Sequence, residues 1–144
     1  MNFIRKSPWI SFYDSGDCNG CVLEVAALLA PKYDIERFGA VVKASAKHAD
    51  ILLVSGIVNK QTRKRLEQVY SQMPKPKIVI AIGSCAITGG VFIPSYNRDG
   101  PLDKIMPVDV FVPGCPPRPE TILDGVVKAL KLLEEKKSDK KAGQ

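Results

Sequence analysis

Four cysteines are the side chains of this sequence best suited to chemistry. Cys18 and Cys21 form a C-x-x-C pair, and Cys85 and Cys115 stand singly further along the chain. We expect no secretory signal at the start of the sequence, and in such a protein four cysteines indicate metal ligands or redox thiols before disulfides. Their thiolates could hold an iron–sulfur cluster or a zinc ion, and a C-x-x-C pair can also act as a redox dithiol.

The spacing of the cysteines favours an iron–sulfur cluster among these chemistries. Zinc sites in small domains usually use two C-x-x-C pairs, whereas Cys85 and Cys115 are single ligands. A dithiol at Cys18 and Cys21 would leave the other two cysteines without a role, and four unrelated buried thiols would leave all of them without one. Structural zinc and a dithiol stay open as alternatives to the cluster.

The cysteines lie among alternating strand-like and helix-like segments. Segments with the apolar pattern of strands are Trp9–Asp14, Asp50–Gly56, Lys77–Gly83 and Val108–Gly114, with Asp34–Phe38 as an additional edge strand. Segments with the pattern of helices are Gly20–Ala30, Gln61–Gln72 and Glu120–Glu135, and Ala86–Pro107 is predicted to be a loop-like insertion. This alternation predicts an α/β fold with a mostly parallel sheet and helices on both faces.

All four cysteines come directly after predicted strands. Because the carboxyl ends of parallel strands meet at one edge of a sheet, we expect the four thiols to lie together there. Glycines cluster near the cysteines and would let backbone amides approach the sulfurs; they are Gly16, Gly20, Gly83, Gly89, Gly90 and Gly114. A cluster at the edge of so small a domain should lie near the surface, which suits electron exchange with another subunit.

Length and composition indicate one soluble domain. The chain has 144 residues, 45% of them hydrophobic and 25% charged, and no apolar run approaches the roughly 20 residues that span a bilayer. We predict a single domain over 1–135 and a disordered basic tail over 136–144. Half of the net charge of +6 falls in residues 128–141, which is typical of a solvated helix end. Because a helix end accounts for so much of the positive charge, we expect no nucleic-acid partner.

Three motifs resemble those of a known family. The segments CNGCVLE (Cys18–Glu24), AIGSCAITGG (Ala81–Gly90) and VPGCPPRPE (Val112–Glu120) resemble the small, electron-transfer subunit of nickel–iron hydrogenases. They are most similar to the membrane-bound, energy-converting group, whose small subunit is homologous to the terminal [4Fe-4S] subunit of respiratory complex I. The resemblance implies a flavodoxin-like fold and an oxidoreductase subunit in which Cys18, Cys21, Cys85 and Cys115 bind one [4Fe-4S] cluster.

The resemblance also implies partners. The cluster would lie next to the active site of a large catalytic subunit, in an ion-translocating complex on the cytoplasmic side of the cell membrane. This chain lacks the further cluster ligands of soluble uptake hydrogenases, so another iron–sulfur subunit must supply electrons, and membrane-embedded subunits are indirect partners. The separated Cys18 and Cys21 match the hydrogenase arrangement rather than the adjacent cysteines of complex I. A nickel-free complex that reduces sulfur, polysulfide or quinone is the alternative, and a zinc-stabilised structural module is the remote one.

Five further places in the sequence carry weaker expectations. Glu24 lies one helical turn after Cys21, and the resemblance suggests proton handling, against an ordinary pairing with Lys or Arg. Arg118 is expected near the cluster or at an interface, whereas the single histidine, His48, is expected to be an ordinary surface residue. The residues Tyr96, Asn97 and Arg98 are expected to lie beside Cys85. The segment Gln61–Gln72 is expected to be a solvated helix rather than a docking face.

Overall fold

The sheet has five parallel strands. A computed structural model describes residues 7–142, and its strands are β1 (Trp9–Asp14), β2 (Val41–Val42), β3 (Ile51–Ser55), β4 (Val58–Asn59), β5 (Ile78–Ile82), β6 (Arg98–Gly100) and β7 (Val110–Val112). The main sheet has the order β2-β1-β3-β5-β7, and β4 pairs with β6 as a separate antiparallel ribbon. The neighbours in the main sheet all pair in parallel, which confirms the predicted α/β class.

Four helices complete the fold. They are α1 (Gly20–Ala27), α2 (Thr62–Gln72), α3 (Gly83–Ile87) and α4 (Pro119–Ala142). Both faces of the sheet are buried, because β3 and β5 carry apolar side chains at every position except Ser55. On one face Leu53 and Ile80 join a core with Val25 of α1 and Val126 of α4; on the other, side chains of the same two strands pack against Leu66 of α2.

The predicted edge strand at Asp34–Phe38 is wrong. Residues Ile35–Phe38 form a 3-10 helix that ends at Gly39, and the edge strand is the shorter β2, where Val41 aligns with Trp9 of β1. The turn places Ile35 in the core. A run of four residues with one buried side chain does not distinguish a 3-10 turn from a short strand.

The last helix is longer than the sequence indicated. Residues 136–142, expected to belong to a disordered tail, continue α4, and residues 143–144 lie outside the described part, as do 1–6. Two ion pairs hold the extension to the amino-terminal ends of the strands: Lys136 pairs with Asp109, and Lys137 Nζ lies 3.1 Å from Asp50 Oδ1. Tertiary contacts therefore order a segment whose composition alone indicated disorder.

The insertion at Ala86–Pro107 is partly regular. It contains the end of α3, two 3-10 turns at Gly90–Phe92 and Leu102–Lys104, and strand β6. Leu102 is fully buried against the α2 side of the sheet, which fixes the insertion to the core. Within residues 7–142 no helix combines the length and the hydropathy needed to cross a membrane.

Candidate iron–sulfur site

The four cysteines follow the carboxyl ends of β1, β5 and β7, as the sequence predicted. Cys18 and Cys115 are exposed, Cys85 is half-buried and Cys21 is buried, and none of them forms a disulfide. Cys21 lies in the first turn of α1 and Cys85 in the short helix α3.

The loop before α1 is ordered by Asp14. Its Oδ1 accepts hydrogen bonds from the backbone N–H groups of Gly16 (2.9 Å) and Asp17 (2.8 Å). Asn19 then takes a left-handed conformation with φ of 73° and starts the helix. This turn puts Cys18 on the surface and Cys21 against the core.

Glycines let the first two motifs touch. A Cβ at Gly83 would lie 2.8 Å from Cys21 Sγ, so the thiol packs directly on the backbone where β5 turns into α3. A Cβ at Gly90 would lie 3.5 Å from Cys85 Sγ, and one at Gly20 would lie 3.5 Å from Cys18 Sγ. Side chains at these glycines would take up the room next to three of the four sulfurs.

The third motif is tied to the other two. The backbone N–H and the Oγ of Ser84 both donate hydrogen bonds to the carbonyl of Gly114, at 2.9 and 3.2 Å. A Cβ at Gly20 would lie 3.8 Å from Cγ of Pro116, which follows Cys115. The three cysteine-bearing loops therefore form one contiguous surface at the carboxyl edge of the sheet.

The thiols influence one another electrostatically. The pKa of Cys21 is raised to about 12, mainly by burial and also by the Asp17 carboxylate and the other three cysteines. Burial also raises the pKa of Cys85, with Cys115, Cys18 and Asp17 adding to the effect. Four thiolates at this place would repel one another, so the fully ionised set needs positive charge from a bound metal.

The donor set and its cradle fit an iron–sulfur cluster. In the part of the chain that the structure describes, no three Cys, His, Asp or Glu side chains converge closely enough to hold a single metal ion. The four thiols are nevertheless close enough to interact electrostatically, because the other cysteines contribute to the raised pKa values of Cys21 and Cys85. Four separated thiols on glycine-rich backbone match the needs of a polynuclear cluster, which is held by four thiolates and stabilised by nearby amides.

The other predicted residues lie in different places. Glu24 is half-buried on α1, and no ion pair of Glu24 is found within residues 7–142, so the expected Lys or Arg partner is not seen. Arg118 is exposed, and its carbonyl accepts the N–H groups of Thr121 and Ile122 in the first turn of α4. His48 is exposed before β3, at the edge opposite to the cysteines, with its ring 5.7 Å from that of Trp9.

Of the insertion residues Tyr96, Asn97 and Arg98, only Arg98 is seen within residues 7–142 to contact the turn that follows Cys85. Arg98 Nη2 donates a hydrogen bond of 2.7 Å to the carbonyl of Thr88, three residues after Cys85. The carbonyl of Asn97 accepts the N–H of Lys60. Tyr96 is 92% exposed, the largest exposed fraction among the large hydrophobic side chains in the described part of the chain.

The predicted helix at Gln61–Gln72 is confirmed as α2 with a buried Leu66. Its basic side chains are exposed, and Arg63 pairs with Glu67 and Asp99, both at 2.9 Å. These contacts match a solvated outer face.

Two residues of the site were missed by the sequence reasoning. Asp17 has a buried Oδ2 with no hydrogen-bond partner in the described structure, and Ser84 joins two cysteine loops. Both directly precede a cysteine in the sequence, a position that could have singled them out.

Comparisons with known proteins agree with the geometry. The family described as "NADH ubiquinone oxidoreductase, 20 Kd subunit" matches residues 18–129. A probable membrane-bound hydrogenase subunit of Pyrococcus furiosus is 58% identical over 91% of this chain and 78% of its own length. Formate hydrogenlyase subunit 7 of Escherichia coli is 46% identical over 92% of this chain, which spans about half (52%) of that relative.

A solved structure is similar as well. A chain of an archaeal respiratory membrane complex, the membrane-bound sulfane sulfur reductase, superimposes with a TM-score of 0.78 at 41% identity. The match covers 90% of this chain and 72% of that one. These relatives are subunits of multi-subunit oxidoreductase complexes.

Proposed function

This chain belongs to the family of the 20 kDa subunit of NADH ubiquinone oxidoreductase, and we propose that it carries one [4Fe-4S] cluster on Cys18, Cys21, Cys85 and Cys115. We infer that it passes electrons to or from the active site of a large catalytic subunit. One observation carries the proposal: three loops at the carboxyl edge of one sheet bring four thiols together on glycine-rich backbone. When bound, such a cluster supplies one-electron exchange.

The residues of this chain would bind and shield the cluster rather than transform a substrate. Buried Cys21 and half-buried Cys85 form the inner side of the site, and exposed Cys18 and Cys115 form its outer side. The Ser84–Gly114 hydrogen bonds keep the second and third motifs at a fixed separation. No bond of the substrate is made or broken by these side chains, because the reacting centre belongs to the partner.

Exposed apolar side chains beside the site suit a protein partner. Leu23 follows Cys21 on α1 and is 63% exposed, and the turn after Cys85 carries Val91 at 77% and Ile93 at 57%. Such side chains near a redox site are typical of a surface that a partner covers. We propose that the large catalytic subunit docks there, which brings its active site next to the cluster.

The similar proteins indicate the kind of complex. Two of the relatives are a probable membrane-bound hydrogenase subunit and a formate hydrogenlyase subunit. We therefore propose a membrane-bound, ion-translocating hydrogenase-type complex, with this chain on the cytoplasmic side and a second iron–sulfur subunit as its electron donor. Membrane-embedded subunits would hold it indirectly.

A nickel-free complex is the second candidate. It is favoured by the similarity to the sulfane sulfur reductase chain, at 41% identity. In that case the same cluster would serve a partner that reduces sulfur, polysulfide or quinone. A zinc-stabilised structural module is the remote candidate, and it would need no sulfide.

Glu24 is proposed to handle protons at the interface. It lies one turn beyond Cys21 on α1 and is half-buried. A carboxylate at this place would relay protons between solvent and the active site of the partner subunit.

Elemental analysis of the complex tests the proposal. The complex is isolated without oxygen through a tag on this chain, and iron, sulfide, zinc and nickel are counted per copy of the chain. Iron and sulfide with about one nickel support a hydrogenase; iron and sulfide without nickel support the second candidate. Zinc without sulfide would contradict the electron-transfer proposal.

A further inference from the structure

Arg98 is held in place by its neighbours along the chain. It begins β6 opposite Asn59 of β4, and the carbonyl before it, that of Asn97, accepts the N–H of Lys60 at 3.2 Å. The carboxylate after it, that of Asp99, is engaged by Arg63 at 2.9 Å. The ribbon of β4 and β6 thus fixes the backbone from which the Arg98 side chain extends.

The guanidinium of Arg98 packs against Gly89. A Cβ at Gly89 would lie 2.5 Å from Nε and 2.7 Å from Cζ, so only glycine leaves room for the group. Nη2 donates to the carbonyl of Thr88, whereas Nε is buried and has no acceptor within the described residues. Arg98 also forms none of the ion pairs found in residues 7–142.

One turn of backbone separates this cation from Cys85. The N–H of Gly89 donates to the carbonyl of Cys85 at 3.0 Å, and a Cβ at Gly90 would lie 3.5 Å from Cys85 Sγ. Burying part of a cation without a carboxylate partner is unfavourable unless opposite charge lies nearby. Beside this turn, the group that becomes negative when it acts as a metal ligand is the thiol of Cys85.

We propose that Arg98 is a positioning residue that acts through its fixed positive charge, which stabilises the thiolate of Cys85 beside the 88–90 turn and raises the reduction potential of the cluster. This inference rests on the proposed function. Reduction adds one electron to the site, and a positive charge that cannot move away stabilises the more negative, reduced state.

The test compares three substitutions in the tagged complex isolated without oxygen. Arg98→Gln and Arg98→Met remove the charge, and Arg98→Lys keeps it. Lys47→Gln is the matched control, because Lys47 is exposed in the 3-10 turn before β3, at the opposite edge of the sheet, and its loss changes the net charge equally. The readouts are iron and sulfide per chain and the midpoint potential from a redox titration followed by electron paramagnetic resonance.

We expect the neutral variants to keep the cluster and to lower the equilibrium constant of its reduction at least tenfold. For one electron this is a shift of about 59 mV to more negative potential. Arg98→Lys should retain most of the wild-type potential, and Lys47→Gln all of it. If both neutral variants lose the cluster while Arg98→Lys keeps it near the wild-type potential, the charge is required and the inference stands.

Two results would overturn the inference. One is a wild-type potential in the neutral variants, or a shift no larger than that of Lys47→Gln. The other is loss of the cluster, or an equal shift, in Arg98→Lys, since the geometry of the side chain and not its charge would then be responsible. A wild-type complex without iron and sulfide would refute the proposed function itself, before any variant is compared.

Discussion

The Sγ of Cys21 packs on the backbone of Gly83, so closely that a Cβ at Gly83 would lie 2.8 Å from the sulfur. Cys21 comes from the first motif and Gly83 from the turn that begins the second, with φ of +83°. This contact joins two loops that are far apart in the sequence. It also makes Gly83 the position at which a single methyl group tests the site.

Gly83→Ala should lower the iron and sulfide content of the chain severely. The substitution adds a clash with a proposed ligand to the strain of a positive φ, which by itself costs about 1–2 kcal/mol. Gly39→Ala is the matched control, because Gly39 has φ of +82° and nothing within 4 Å of its Cβ position. We expect Gly39→Ala to lower thermal stability modestly and to keep the wild-type cluster content. Equal cluster loss in both variants would show that backbone strain alone is responsible.

The stability of the metal-free chain should depend on Cys21 at alkaline pH. Burial, together with the neighbouring Asp17 carboxylate and the other cysteines, raises the pKa of Cys21 to about 12, so the folded thiol stays neutral at pH values where the unfolded thiol ionises. The stabilisation from this group is complete below pH 9 and is lost as pH rises towards 12. Urea unfolding at several pH values should therefore show a steeper decline above pH 9 for wild type than for Cys21→Ala. Parallel profiles would contradict the buried, neutral thiol.

Glu24→Gln should slow proton-coupled turnover of the complex without changing its cluster. Removing a proton-handling carboxylate typically costs a factor of 10² to 10⁴ in rate. The electron paramagnetic resonance signal and the iron content should stay at wild-type values. Glu134→Gln, at an exposed position of α4, serves as the control. Wild-type turnover in Glu24→Gln would assign Glu24 to packing at the helix surface.

Ile93→Glu should weaken binding of the large catalytic subunit. Ile93 is 57% exposed in the turn region after Cys85, and a charge there would be desolvated in the interface. Phe38→Glu is a suitable control, since Phe38 is 41% exposed at the end of the 3-10 helix that precedes β2. The amount of partner recovered with the tagged chain measures the effect. Undiminished recovery with Ile93→Glu would remove this surface from the proposed interface.

Lys136→Gln together with Lys137→Gln should loosen the end of α4. The two lysines pair with Asp109 and Asp50, whose carboxylates also accept backbone N–H groups of Val79 and Trp9. The pairs are partly exposed, so we expect a loss of about 1 kcal/mol or less. Hydrogen exchange of the amides in 136–142 should accelerate, whereas Lys131→Gln, at an exposed position without an ion pair in the described chain, should leave it unchanged. Unchanged exchange in the double variant would mean that other contacts order the extension.

The sequence by itself determined the class of the fold and the edge of the sheet at which the cysteines lie. Buried parallel strands such as β3 and β5 carry continuous apolar runs, and a cysteine that follows such a run must come to the carboxyl edge. The motifs around Cys18, Cys85 and Cys115 also indicated the family. Both inferences depend on local pattern, which a single sequence displays.

The tertiary structure alone decided which groups touch across the site and at its margins. Three contacts join residues that are distant in the sequence. Cys21 packs on Gly83, Arg98 packs on Gly89, and Lys137 forms an ion pair with Asp50. Tertiary contacts also explain why Ile35–Phe38 is a 3-10 helix rather than the expected strand, and why residues 136–142 of the expected 136–144 tail continue α4. Short segments adopt the conformation that buries Ile35 or satisfies Asp50 and Asp109, and those partners are fixed only when the chain has folded.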